Sequence, residues 1–113
     1  MKDAPSDPAL EARLHTVVTR LTFRDPVDPT VIAGFTALAD ELRATDGFEA
    51  AHVVRTGERE VLLLIIGRDA ETLERVSTEI GSPWMMRTIV PRLAGAPERL
   101  TGPVIASIRD GAA

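Results

Sequence analysis

With 113 residues, 44% of them hydrophobic and 27% charged, the chain has the size and balance of one folded domain around one core. A formal net charge of −4 with dispersed arginines and no basic run excludes the electrostatic footprint of nucleic-acid binding. The absence of cysteine excludes disulfides, thiolate metal sites and a thiol nucleophile, and the absence of Tyr, Asn and Gln narrows the side chains able to hydrogen-bond at any site.

Residues 1–12 are polar and rich in Asp and Pro. They read as a flexible tail with no apolar run behind a basic start, hence no signal peptide. Leu14–Phe23 is rich in β-branched residues and reads as the first strand. One face carries His15, Val17, Thr19, Leu21 and Phe23; the other carries Leu14, Thr16, Val18, Arg20 and Thr22. Asp28-Pro29 opens a helix, with the carboxylate as cap and proline at the first helical position. Its apolar stripe is Val31, Ile32, Phe35, Leu38, Ala39 and Leu42. The helix is expected to run to about Thr45, with Gly47 suited to a left-handed stop.

Ala50–Arg55 and Glu60–Gly67 read as strands two and three, joined by the polar turn Thr56–Arg59 into a hairpin. Asp69 caps a second helix over Ala70–Ile80, which Gly81 is expected to end. Ser82-Pro83 starts a further helical segment carrying Trp84, Met85, Met86, Ile89, Val90 and Leu93, with Pro91 as its kink or stop. Leu100–Ile108 reads as the fourth strand. The expected organisation is one α+β domain of order β-α-β-β-α-β over residues 13–109, with a tail at 110–113.

Val61–Ile66 is the longest apolar run. It is too short to span a bilayer, so no membrane is expected and the cytoplasm is the expected location. Alternate side chains of a strand point to opposite faces, so both faces of this one are apolar. Right-handed crossovers place both helices on the same side of the sheet, which leaves the other face without a cover. A second copy packed through the sheet, related by a two-fold axis, is the expected solution. A central strand of a parallel sheet is the competing reading, and the hairpin turn argues against it.

This order, the apolar third strand and the interrupted second helix resemble the dimeric α/β-barrel superfamily. Gly81-Ser82-Pro83-Trp84-Met85-Met86, Val90-Pro91-Arg92-Leu93 and Gly102-Pro103-Val104-Ile105-Ala106-Ser107 look like its antibiotic-biosynthesis-monooxygenase branch. The likeness covers about Leu14–Ile108. It implies a ferredoxin-like, four-stranded antiparallel sheet with helices on one face, closing into a barrel with a second copy. It also implies a pocket between helices and sheet, and a cofactor-independent monooxygenase-like activity on an aromatic or polyketide-like substrate. Oxygenases of this branch use an asparagine, a tryptophan and often tyrosines; only the tryptophan is present, as Trp84. Haem-degrading members use a histidine on the second helix and an asparagine. Neither is present, which disfavours haem degradation.

The candidate residues follow. His15 is a candidate general base, against the plainer reading of a strand-end histidine with a satisfied hydrogen bond. Arg20 is a candidate stabiliser of an anionic or phenolate oxygen, against pairing with a carboxylate across the dimer or lying exposed at the sheet rim; Arg55 carries the same readings. Phe35, Trp84, Met85 and His52 are candidates for the substrate pocket, although large apolar side chains at helical spacing also build cores. The two histidines lack a third spaced ligand, so no metal is expected, and the resemblance implies no cofactor. A non-catalytic ligand-binding or structural homodimer and a polyketide cyclase or isomerase remain as alternatives.

Overall fold

The computed structural model of the protein describes residues 14–108; the tails expected at 1–12 and 110–113 lie outside the described residues. Strands β1 (His15–Thr22), β2 (Phe48–Gly57), β3 (Glu60–Gly67) and β4 (Glu98–Pro103) form one sheet in the order β2-β3-β1-β4, with all neighbours antiparallel. Helix α1 (Pro29–Arg43) links β1 to β2, and an irregular helical run over residues 70–92 links β3 to β4. Both lie on one face of the sheet, as the crossover argument requires. The expected β-α-β-β-α-β order is the observed one.

The pleat divides each strand. Val17, Thr19 and Leu21 of β1 and Val61, Leu63 and Ile65 of β3 point under the helices and are buried. They meet Val31, Phe35, Leu38 and Leu42 of α1 and Leu73, Val76, Trp84 and Ile89 of the irregular helix. Thr16, Val18 and Arg20 of β1 share the opposite face with Ile66, Leu64 and Leu62 of β3. No element of the described chain lies over that face.

Both carboxylate caps form. Asp28 Oδ1 accepts from the Val31 N–H at 3.0 Å, with Pro29 at the first helical position. Asp69 Oδ1 accepts from the Thr72 N–H at 2.7 Å. This bond, a second one with the Thr72 side chain and the nearby Arg68 and Arg75 guanidiniums hold the Asp69 carboxyl below the usual carboxylate range. Gly47 has a φ of 89°, and a Cβ there would stand 2.5 Å from Thr72 Cγ2. Glycine is therefore demanded both by the backbone and by the close approach of the next helix.

Two expectations need correcting. Gly81 does not end the second helix: its φ and ψ are −62° and −51°, and the chain passes through Ser82 and Pro83 in helical conformation. Helix α2 (Ala70–Val76) instead widens into a π-turn at Ser77–Gly81, narrows to α3 (Ser82–Trp84), widens again at Met85–Ile89 and closes as a 3₁₀ turn at Val90–Arg92. Pro83 has no N–H, and in a regular helix its ring would strike the carbonyl of Glu79. Lengthened turns, such as Ser82 N–H to the Ser77 carbonyl, let the chain carry a proline without stopping. Strand β4 is Glu98–Pro103 rather than Leu100–Ile108, because Pro103 cannot donate to the ladder and its Cα partner His15 is where β1 begins.

Candidate ligand site

The irregular helix does not seal against the sheet. Beneath it lies a cavity of about 290 Å³, at the lower end of the sizes that hold small organic ligands. Its floor is the helix-side face of the two central strands, Val17 and Thr19 of β1 and Leu63 and Ile65 of β3, with Leu38 of α1 as one wall. The roof comes from the irregular helix: Ser77 and Gly81 of the first widened turn, Ser82 and Trp84 of α3, and Met85 and Met86 of the second widened turn. Pro97, Arg99 and Val90 complete the rim. The π-turns that accommodate Pro83 are thus also what lines the space, in keeping with the frequency of such turns at functional sites.

Trp84 is fixed in place. It is 3% exposed, its indole N–H donates to the Gly34 carbonyl at 3.1 Å, and its ring packs on Phe35 with centroids 5.2 Å apart and planes at 51°. A Cβ on Gly34 would stand 2.9 Å from Thr88 Cγ2, so the glycine lets α1 and the irregular helix approach closely. With its N–H committed to α1, Trp84 offers a ligand its apolar ring only.

Among the described residues, Arg99 is the one charged side chain lining the cavity. Its Nη2 donates to Ser77 Oγ at 3.0 Å, and among the described residues it has no carboxylate partner. Directly across from it in the ladder stands Thr19, 7% exposed, whose hydroxyl has no hydrogen-bond partner among the described residues.

No family model and no curated protein matches the sequence. Solved structures do match it in shape. A proposed antibiotic biosynthesis monooxygenase from Caulobacter crescentus CB15 superposes with a TM-score of 0.70 at 19% identity, covering 87% of this chain and 95% of that one. A variant of SnoaB, a cofactor-independent oxygenase from Streptomyces nogalater, gives 0.72 at 15% identity, covering 88% and 100%. The NE2512 protein of unknown function from Nitrosomonas europaea gives 0.64 at 13% identity, covering 89% and 98%. The fold is that of the antibiotic-biosynthesis-monooxygenase-like proteins. These likenesses concern architecture, and the residues of the site must be read from this chain.

Within this fold, the expected site residues are dispersed. Trp84 and Met85 come together on the cavity roof. Phe35 does not line that cavity; it backs Trp84 and faces a second one of about 420 Å³ with Ile32, Val53, Arg55 and Val61. Ile32, expected in the apolar stripe of α1, is half exposed at that mouth. Arg55 is tied to the Val27, Gly57 and Glu58 carbonyls. His15 lies on the helix-side face at the end of β1, opposite Gly67 and Pro103 and outside the lining. At about 3.3 Å per strand residue, it sits roughly 13 Å from Thr19. His52 is exposed on the opposite face, level with Leu64. Arg20 is also on that face, between Glu60 at 3.9 Å and Glu98 at 3.5 Å of its own chain. The histidines therefore do not meet, and no cluster of three or more His, Asp or Glu able to hold a metal occurs among the described residues. Nor is any helix there long and apolar enough to cross a membrane.

Sequence reasoning passed over Arg99, Ser77 and Thr19. A signal for Thr19 existed: alternation places its hydroxyl in the middle of an otherwise apolar face. For Arg99 there is none, because β4 begins at Glu98, ahead of the first apolar residue, Leu100, that marks the strand in the sequence.

Proposed function

We propose that the chain is a homodimeric, cofactor-independent monooxygenase-like enzyme that takes an aromatic or polyketide-like phenol into the cavity beneath the irregular helix. The observation that carries this reading is an apolar cavity whose single charge, among the described residues, is a guanidinium with no carboxylate partner there. A phenolate beside Arg99 is favoured over the phenol by the charge-assisted hydrogen bond, while Trp84, Met85 and Leu63 enclose the rings. The proton leaves to solvent at the open rim, so His15 need not take it.

An electron-rich phenolate conjugated to an activated CH₂ supplies the electrons for oxygenation itself. One oxygen atom of O₂ becomes the new carbonyl, and the other leaves as water with the two hydrogens of that carbon. Metal and flavin are not required by this balance. The protein binds, orients and keeps the anion dry at the reacting carbon.

The test is oxygen uptake with a hydroxyanthrone as substrate and no added cofactor. Arg99→Met is expected to lower kcat/KM by a factor of about 100, and His15→Ala to leave it within about threefold. Turnover lost in His15→Ala and kept in Arg99→Met would reverse the assignment. A non-catalytic ligand-binding homodimer is the second reading, favoured by the absence of His, Asp and Glu from the lining; ligand binding without oxygen uptake would select it. A cyclase or isomerase, which needs an acid–base group at the substrate, is disfavoured by the same lining.

A further inference from the structure

Thr19 is the feature that the reading above leaves unused. Among the described residues its buried hydroxyl has no partner in the apolar floor, and a buried polar group left so is costly. Its place is not accidental to the cavity: Thr19 lines it and stands directly opposite Arg99 in the β1–β4 ladder. Side chains so paired project together, with Cβ atoms about 5 Å apart. The two polar groups therefore approach the ligand from adjacent positions, one neutral and deep, the other cationic and at the rim.

We propose that Thr19 is a specificity-determining residue that reads a second ligand oxygen next to the anionic one. The ligand class that follows is an apolar ring system with two neighbouring oxygens, an ortho-hydroxy acid or ortho-hydroxy ketone, rather than a simple phenol. One oxygen carries the charge and meets Arg99; its neighbour meets the Thr19 hydroxyl, which can donate to a carbonyl or accept from a hydroxyl. Arg99 keeps donors to spare, because the guanidinium has five N–H groups and Ser77 takes one. The apolar body lies under Trp84 and Met85. This inference rests on the cavity being the ligand site.

Calorimetric titration with 1-hydroxy-2-naphthoate and with 2-naphthol, on the full chain, tests it. The wild type is expected to bind 1-hydroxy-2-naphthoate more tightly. Thr19→Val, nearly isosteric and without the hydroxyl, is expected to weaken 1-hydroxy-2-naphthoate by about five- to tenfold and to leave 2-naphthol within twofold. Thr19→Ser is expected to keep the preference. If Thr19→Val binds both probes as the wild type does, or weakens both equally, the role of Thr19 is overturned while the cavity stands. If neither probe binds the wild type, the cavity reading itself falls.

Discussion

Strand β3 presents the same kind of side chain to two different surroundings. Val61, Leu63 and Ile65 lie under the helices and are 2–6% exposed, whereas Leu62, Leu64 and Ile66 on the opposite face remain only partly buried. Around the latter stand Val18 of β1, Val54 of β2 and Leu100 of β4, the last 74% exposed. Composition does not distinguish the two faces; the cover does. The helix-side face is finished within one chain and keeps a ligand-sized space. The open face is an apolar surface rimmed by the Arg20, Glu60 and Glu98 ion pairs, the arrangement of an interface with a polar edge. A second copy offering the same face is the cover we infer.

The largest effects should separate the two faces. Leu21→Ala, at a fully buried position away from the cavity, is expected to lower unfolding free energy by about 2–5 kcal/mol, measured by urea denaturation. Leu64→Asp is expected to leave a folded chain by circular dichroism while sedimentation changes from dimer to monomer, because a charge on each copy would face an apolar partner. A wild type that sediments as one chain, or a Leu64→Asp variant that stays dimeric, would break the comparison. Next in size is the helix-side packing. Gly34→Ala is expected to cost about 1–3 kcal/mol by overpacking against Thr88, and Thr88→Ala should recover most of that loss. Neither change should alter dimer affinity.

What the sequence made legible divides along the same line. Element order, both aspartate caps, the hairpin and the continuous apolar run of β3 are local patterns, and all of them appear. The site depends on how elements meet, and little of that is local. Trp84 and Met85 were legible as large apolar residues beside an irregularity, yet the irregularity was misjudged. Gly81-Ser82-Pro83 reads as a stop, and only packing on the sheet holds the chain helical through it. Arg20 and Arg99 look alike as strand arginines, and the register alone puts the first among carboxylates on the open face and the second over the cavity. His15 shares a face with Thr19 but lies too far along the strand to share its site, a distance that face assignment by alternation does not convey.

The smallest effect sharpens the comparison through pH. Asp69 caps α2, the start of the layer that covers the helix-side face. Its carboxyl is held below the ordinary value of 3.8, first by the Thr72 N–H and side chain and then by Arg68 and Arg75. A carboxyl whose pKa is lower folded than unfolded stabilises the fold when ionised. That contribution is complete above the unfolded value and disappears as pH falls through the folded one. Asn at the same position still accepts from the Thr72 N–H but cannot titrate. In urea unfolding from pH 7 down to pH 2.5, the wild type should therefore lose stability relative to Asp69→Asn, its neutral-pH advantage shrinking as pH falls below about 4. The other carboxylates are common to both proteins and cancel in the difference. Dimer affinity at neutral pH should be the same for the two, since the cap serves the covered face alone. Parallel stability curves across the acid range would mean that the Asp69 charge contributes nothing, and that the cap works as a neutral hydrogen-bond acceptor.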